Sequence, residues 1–419
     1  MIRALRLIIA TAYSATAQTG FEPELLGRVR QHIAANVSGL PDYTCQETME
    51  RSMRAPTGRM VFRERLRLEV LGTKAGEIFS WPGSAQFARE PLESWIAAGA
   101  IENGNFLTDL RNLFQLSSAT TKYAGTETIA RQAVHRFDFH APLLSSRYTL
   151  TIDGKTAITA YSGSFWVSQE SLDIVRLEMR AEEIPPDLDC RQAQHSVTYG
   201  RTRLGVSEWL IPSAAELLMV SRQGRESRNS VAFSRCRHYA TETSLSFDTA
   251  AAVESPARSS PQPNLPAGVA LNLRLEHPIS IRESAAGDPI VARLDKPVTA
   301  GGLSLPKGTR VLGRIRRLEQ YLSSPASIRI GLEFFAMEAT GGRIPFTAFL
   351  TGPRATTYVD RANYGSPAIV MTGEGLNIED DGMTTGIGSF RIDGKELHIP
   401  RGFRTFWKTR QATGTAQQD

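Results

Sequence analysis

From Asp248 to Asn264 the chain reads Asp-Thr-Ala-Ala-Ala-Val-Glu-Ser-Pro-Ala-Arg-Ser-Ser-Pro-Gln-Pro-Asn, small residues and prolines with no apolar periodicity. Such a stretch cannot bury enough surface to offset the entropy of ordering it, so it reads as a linker over 248–264. The 419 residues are therefore expected to form two domains, 18–247 and 265–410, each of ordinary domain size, with 411–419 as a disordered tail. With 41% hydrophobic and 22% charged residues, the composition excludes disordered, collagen-like and membrane-embedded classes.

The formal charge is +5, and 41 arginines stand against seven lysines. The arginines are scattered and usually sit beside acids, as in Arg63-Glu64-Arg65-Leu66-Arg67-Leu68-Glu69. A nucleic-acid footprint clusters instead, so no nucleic-acid partner is expected.

Arg3 and Arg6 precede the short apolar run Leu7 to Tyr13, which leads into Ala15-Thr16-Ala17, the small-x-small pattern of a signal-peptidase site. Residues 1–17 are read as a secretory signal cleaved before Gln18, which predicts a periplasmic or secreted protein. No later stretch reaches the roughly 18 apolar residues that span a bilayer. In an oxidising compartment the three cysteines, Cys45, Cys190 and Cys236, allow one disulfide. Cys45 lies in the first strand-like segment of the N-terminal domain and Cys236 in one of its last, whereas Cys190 follows the loop-like Pro185-Pro186-Asp187-Leu188-Asp189. The expected bond is Cys45 to Cys236.

Leu25, Leu26, Val29 and Ile33 fall on one stripe and predict an amphipathic helix over 23–36. Strand-like runs follow over 43–51, 60–71, 77–81, 121–128, 133–140 and 147–161, the last folded at Asp153-Gly154, and continue to Phe247. Helical patches are expected over 91–98 and 106–116. Beyond the linker, Leu265-Pro266-Ala267-Gly268, Leu305-Pro306-Lys307-Gly308 and Ile399-Pro400-Arg401-Gly402 each stand just before a strand-like run. Proline presets the second turn position and glycine frees the fourth, so each turns the chain tightly into a strand. The fold class expected is mainly β: an α+β first domain, then a small β-barrel or sandwich.

No catalytic or cofactor motif is complete. Gly154-Lys155-Thr156 lacks the glycine that a phosphate loop needs at position 149, which is Thr149. Gly373-Glu374-Gly375 is followed by Ile378 and not by a third glycine. The acidic loop from Asn377 to Asp381 has Gly388 where a calcium loop needs its bidentate carboxylate. His135 and His140 have an odd separation and face opposite sides of a strand, so they share no metal. Asp138 and His140 face the same way, but no G-x-S-x-G nucleophile elbow exists to use them. No cofactor, no metal and no enzymatic activity are expected. Trp81, Trp95, Phe106, Phe114, Phe165 and Trp166 are the candidate lining of an apolar ligand cavity between sheet and helices.

One helix, a long antiparallel run and the segment from Gly163-Ser164-Phe165-Trp166 to Val175-Arg176-Leu177-Glu178 resemble the LolA/LolB-like and RseB-like envelope proteins. The resemblance implies an open antiparallel half-barrel with a packed helix, whose groove holds acyl chains or senses envelope components. Leu265-Pro266-Ala267-Gly268, Ala286-Gly287-Asp288-Pro289-Ile290-Val291-Ala292 and Leu305 to Gly313 resemble the C-terminal β-domain of TrbI-type conjugation and secretion-channel proteins. That likeness implies a fold more than a role. The function expected is an exported, non-enzymatic envelope protein binding a lipid, lipoprotein or protein ligand; a structural scaffold of an envelope assembly is the alternative, and a periplasmic hydrolase comes third.

Overall fold

The computed structural model describes residues 18–74, 76–84, 87, 92, 106–111, 113–114, 119–152, 154–239, 265–339, 342–352, 376–379 and 386–410. Its elements up to residue 238 are α1 (Gln18–Gly39), β1 (Tyr43–Arg54), β2 (Met60–Thr73), β3 (Gly76–Ser80), α2 (Phe106–Arg111), β4 (Thr120–Ile129), β5 (Gln132–Ala141), β6 (Thr149–Ile152), β7 (Lys155–Ile158), β8 (Ala160–Ser168), β9 (Ile174–Glu182), β10 (Gln192–Leu204), β11 (Ser207–Val220) and β12 (Glu226–His238). Then come β13 (Ala270–Leu275), β14 (Ile279–Ser280), β15 (Pro289–Leu294), β16 (Val298–Ala300), β17 (Leu303–Leu305), β18 (Arg310–Tyr321), β19 (Ser327–Ala339), β20 (Gly342–Pro345), β21 (Thr347–Gly352), β22 (Leu376–Glu379), β23 (Ile387–Asp393), β24 (His398–Ile399) and β25 (Arg404–Arg410). The fold is mainly β and antiparallel, as expected. The chain divides into two compact units that alternate along the sequence: Met1–Pro41 with Gly104–Ala215, and Asp42–Asn103 with Glu216–Asp419. The signal segment 1–17, the linker 248–264, the tail 411–419 and the helical patch expected over 91–98, except residue 92, lie outside the described residues.

In the first unit, β4, β5, β8, β9 and β10 form an antiparallel meander. Registers stack Phe137, Phe165, Leu177 and Val197 in one cross-strand row, and Phe139, Gly163, Met179 and His195 in the next. Helix α1 outruns the expected span and buries Leu25, Val29, Ile33 and Val37, a four-residue repeat that keeps one stripe inward. It is pinned at two places. Asn36 takes both the N–H and the C=O of Leu210, and His32 Nε2 lies 2.7 Å from Asp173 Oδ1. The 153–154 hairpin forms as expected, with Gly154 at φ +78°.

In the second unit, β1 pairs with β2 on one edge and with β12 on the other, and the disulfide Cys45–Cys236 joins β1 to β12. Cys190 remains a buried thiol in the first unit, its Sγ donating to the Gln192 carbonyl. Beyond the linker, β13 pairs with β15 and β25, β15 with β18, β18 with β19, β19 with β20 and β23, and β21 with β25. This circuit of strands, interrupted at Phe346 between β20 and β21, encloses Leu271, Leu273, Val311, Ile330, Phe334, Phe390 and Trp407. The three proline-glycine turns behave alike: Gly268, Gly308 and Gly402 have φ of +89°, +91° and +87°. Their N–H groups donate to Thr409, Leu294 and Leu275, so each turn is stitched to a neighbouring strand.

Strands from either side of 248–264 share this unit. Glu319, Gln320 and Tyr321 of β18 pair with Glu64, Arg63 and Phe62 of β2. The Ala286-Gly287-Asp288 motif also lands on β2: Arg67 N–H donates to Ala286 O, Ala286 N–H to Arg65 O, and Arg67 grips the Asp288 carboxylate at 2.5 and 2.6 Å. Gly287, at φ +97°, comes so close that an added Cβ would lie 2.0 Å from the Arg67 carbonyl oxygen. Only glycine fits there.

Candidate functional site

Strand alternation decides which candidate side chains can meet. Phe137 and Phe165, directly opposite on β5 and β8, stack at 5.0 Å; Phe139 lies 6.2 Å from Phe165, and Tyr123 adds an edge-on ring 5.3 Å from Phe137. Gly163 makes room for this: an added Cβ would lie 2.7 Å from the Phe139 ring and 1.9 Å from the Glu178 carbonyl. The series continues from Phe139 to Tyr161 at 6.1 Å, to Tyr148 at 5.7 Å and to His195 at 6.1 Å. Phe114 closes over Phe165 edge-on at 4.9 Å. One sheet face thus carries an unbroken series of rings.

The polar end of that series is His195, buried on β10. Its Nδ1 is 3.3 Å from the Tyr148 hydroxyl and its Nε2 is 3.3 Å from Asp109 Oδ2 on α2. The contact of Asp109, together with Phe114, holds the α2 segment against the sheet. A single histidine between a phenol and a carboxylate can orient a polar ligand group.

The other face is polar. Trp166, one residue along from Phe165, points away from the rings: its Nε1 donates to Glu127 at 2.8 Å, and Arg136 lies over it at 5.6 Å from the ring centre. Arg136 also donates to Asp138, and Ser164 Oγ donates to Asp138 at 2.6 Å. Asp138 and His140 face the same way, as expected, and the side they share is this outer one, where His140 lies 3.5 Å from Glu182. Trp81 is in the second unit, buried beneath Arg316, whose guanidinium sits 4.9 Å from the ring centre. Of the six aromatic candidates, then, Phe114 and Phe165 come together, Trp166 faces away and Trp81 belongs elsewhere. Trp95 and the side chain of Phe106 lie outside the described residues.

Two features carried no local sequence signal. Asp173, at the β8–β9 turn, receives Arg201 through both Nε and Nη2 at 2.7 and 2.8 Å, Ser171 Oγ at 2.9 Å and His32. Burial opposes its ionisation, but the hydrogen bonds from Arg201, His32 and Ser171 outweigh that and hold the carboxyl below the usual carboxylate range. In the second unit, Arg51 and Glu64 pair at 2.6 Å with both side chains buried, and Glu319 is buried among Arg317 at 2.9 Å and the Tyr321 hydroxyl at 2.7 Å. Burial pushes Glu64 above its ordinary value, Arg51 pulls it down, and Glu319 adds to the rise. Among the described residues no group of three His, Cys, Asp or Glu is placed to hold a metal ion, and no helix is long and apolar enough to cross a membrane.

No protein-family model matches the chain, and no curated protein does. Among solved structures it is similar to a domain assigned to outer membrane lipoprotein sorting from Vibrio parahaemolyticus, at 10% identity over 52% of this chain and 92% of that one, TM-score 0.29. It is also similar to a DUF1329 family protein from Desulfovibrio piger, at 14% identity over 56% and 96%, TM-score 0.27. A third likeness is to a LolA superfamily protein from Nitrosomonas europaea, at 11% identity over 52% and 94%, TM-score 0.26.

Proposed function

We propose that this is an exported, non-enzymatic binding protein of the cell envelope whose first unit holds an apolar ligand of the acyl-chain class. The observation that carries the reading is the ring series from Tyr123 through Phe137, Phe165 and Phe139 to Tyr161 and Tyr148 on one face of an open sheet. Flat rings on a pleated surface give an acyl chain broad contact, and His195 with Tyr148 supplies a polar end for its head. The Cys45–Cys236 disulfide supports an oxidising compartment. The TrbI-type likeness of the C-terminal strands is read for fold alone. Full-length protein purified from the envelope, extracted with organic solvent and analysed by mass spectrometry, is expected to yield fatty-acyl lipid. Phe114→Ala is expected to weaken uptake of a fluorescent fatty acid about tenfold by removing the ring that covers Phe165. Protein that carries no acyl lipid and takes up no fatty acid overturns the reading in favour of a scaffold.

A further inference from the structure

Of the five large apolar side chains that stand exposed among the described residues, three lie in the first unit on two segments tied by hydrogen bonds: Leu143 at 39%, Leu144 at 102% and Ile158 at 51% exposure. A single exposed leucine is ordinary, but three large apolar side chains on adjoining segments are not. The two leucines do not dangle. They sit on a single tight turn in which Ser145 N–H donates to Pro142 O and Ser146 N–H to Leu143 O. Ser146, itself buried, fastens that turn to the hairpin strand: its Oγ donates to Thr159 O at 2.5 Å, and Thr159 N–H donates to Tyr148 O. Ile158, opposite Thr149, lies next to that fastening point. The backbone is thus fixed while its largest apolar side chains face water.

Among the described residues of the turn and hairpin, the charges have one sign. Arg147 follows the leucine turn and Lys155 starts the hairpin's return strand, and both are exposed. Residues 142–152 and 154–160 contain no acid; Asp153, at the hairpin turn, lies outside the described residues. Glu182, paired opposite Ala160, is engaged by Ser162 and Arg180.

We infer that this turn and hairpin form a membrane-contact tip, in which Leu143, Leu144 and Ile158 enter the headgroup boundary of an anionic lipid surface while Arg147 and Lys155 meet its phosphates. A turn that exposes Leu144 fully and Leu143 in part, with cations next to it in sequence, matches the interface of a bilayer, which takes up apolar side chains singly and attracts cations beside them. Long basic side chains can lie along such a boundary with their heads among the phosphates. The inference stands apart from the ring-lined face, since it concerns an outer surface and another form of lipid.

The test is flotation of the full chain with vesicles of phosphatidylglycerol and phosphatidylcholine, and with vesicles of phosphatidylcholine alone. The intact protein is expected to float with the anionic vesicles and to be released by high salt, because exposed charge attraction is screened. Leu143→Ser with Leu144→Ser is expected to lower the partition about tenfold, and Arg147→Gln with Lys155→Gln to remove the preference for phosphatidylglycerol. All four positions are exposed, and an unchanged melting temperature shows that each variant is folded. Val206→Ser, at an exposed apolar position on the β10–β11 turn, is expected to change nothing. The inference is overturned if the intact protein does not float, if the double leucine variant floats as well as the intact protein, or if Val206→Ser has the same effect. It is also overturned if sedimentation velocity shows a dimer that the leucine variant abolishes while vesicle binding stays absent. Fatty-acyl content, measured on the same preparations, reports separately on the ring-lined face.

Discussion

The ring-lined face of the first unit and the β2–β18 seam of the second are both antiparallel and both bury side chains, yet they are held by opposite means. The first relies on stacked and edge-on rings, which attract over a range of offsets and let neighbours shift. The second sets two buried carboxylates opposite each other, Glu64 and Glu319, each balanced by an arginine on its own side, Arg51 of β1 and Arg317 of β18, an arrangement favourable in one geometry and costly in any other. A face meant to receive a ligand can afford adjustable contacts, whereas a seam joining strands from distant parts of the chain gains from a fixed register.

The largest effect expected within this comparison is on the seam's unit. Replacing Cys45 and Cys236 by serine should cost roughly 5 kcal/mol in the chain-entropy model, since the bond closes a loop across 191 residues. Chemical denaturation of oxidised and serine-substituted protein measures it. Next, Arg51→Met should cost about 3 to 5 kcal/mol by leaving Glu64 buried without its partner, while Arg51→Met with Glu64→Met should recover most of that loss. Phe165→Leu, a change of similar severity by eye, should cost less than about 1.5 kcal/mol because the ring face can repack. If Phe165→Leu proves as damaging as Arg51→Met, the contrast between adjustable and fixed regions fails.

A smaller effect concerns the docking of the Ala286-Gly287-Asp288 motif. With a protease site placed within 248–264, the two halves of the cut chain should stay together on size exclusion, held by the β2–β18 ladder and the Arg67–Asp288 pair. Gly287→Ala should weaken that association by about 1 to 3 kcal/mol, since its backbone lies in the left-handed region and the new methyl would strike the Arg67 carbonyl. Halves that part spontaneously would break this picture.

The smallest effect is on acid stability, and the two regions should differ in sign. Asp173 has a lowered folded value, so its contribution is present above the unfolded carboxylate range and is lost as pH falls through the folded value, below about pH 4. Glu64 has a raised folded value, so its contribution is full below the unfolded value and is lost as pH rises through the folded one. Hydrogen exchange on lowering the pH to about 2 should therefore show α1 amides losing protection before β2 amides do. Parallel loss in both elements would contradict the opposite shifts.

Local chemistry made part of this legible. Proline and glycine at fixed offsets announced three turns that form with nearly identical glycine conformations, and Asp153-Gly154 announced a hairpin. The four-residue repeat from Leu25 announced α1, and the cysteine positions, at opposite ends of a run of strands, gave the disulfide. What stayed hidden was long-range. Nothing near Glu64 or Glu319 says that β2 meets β18, so the division of the chain at 248–264 could not reveal a unit built from both sides of it. The aromatic site was blurred for a different reason: counting rings grouped Phe165 with Trp166, although the two-residue period of a strand sends adjacent residues to opposite faces. The β4–β5 turn gave no warning either, since Ala130 and Arg131 take positive φ where glycine or asparagine is usual.

If the chain is exported as proposed, the placement of Cys190 bears on how its disulfide forms. Cys45 emerges early and meets Cys190 before Cys236, so the first available partner is the wrong one. Cys190, however, is buried inside the first unit, whose last residue is Ala215. Folding of that unit would bury the competing thiol, and Cys236 stands 21 residues beyond its last residue. The alternation of the two units along the sequence thus acts as a timetable, in which the competing sulfur is hidden before the native one arrives.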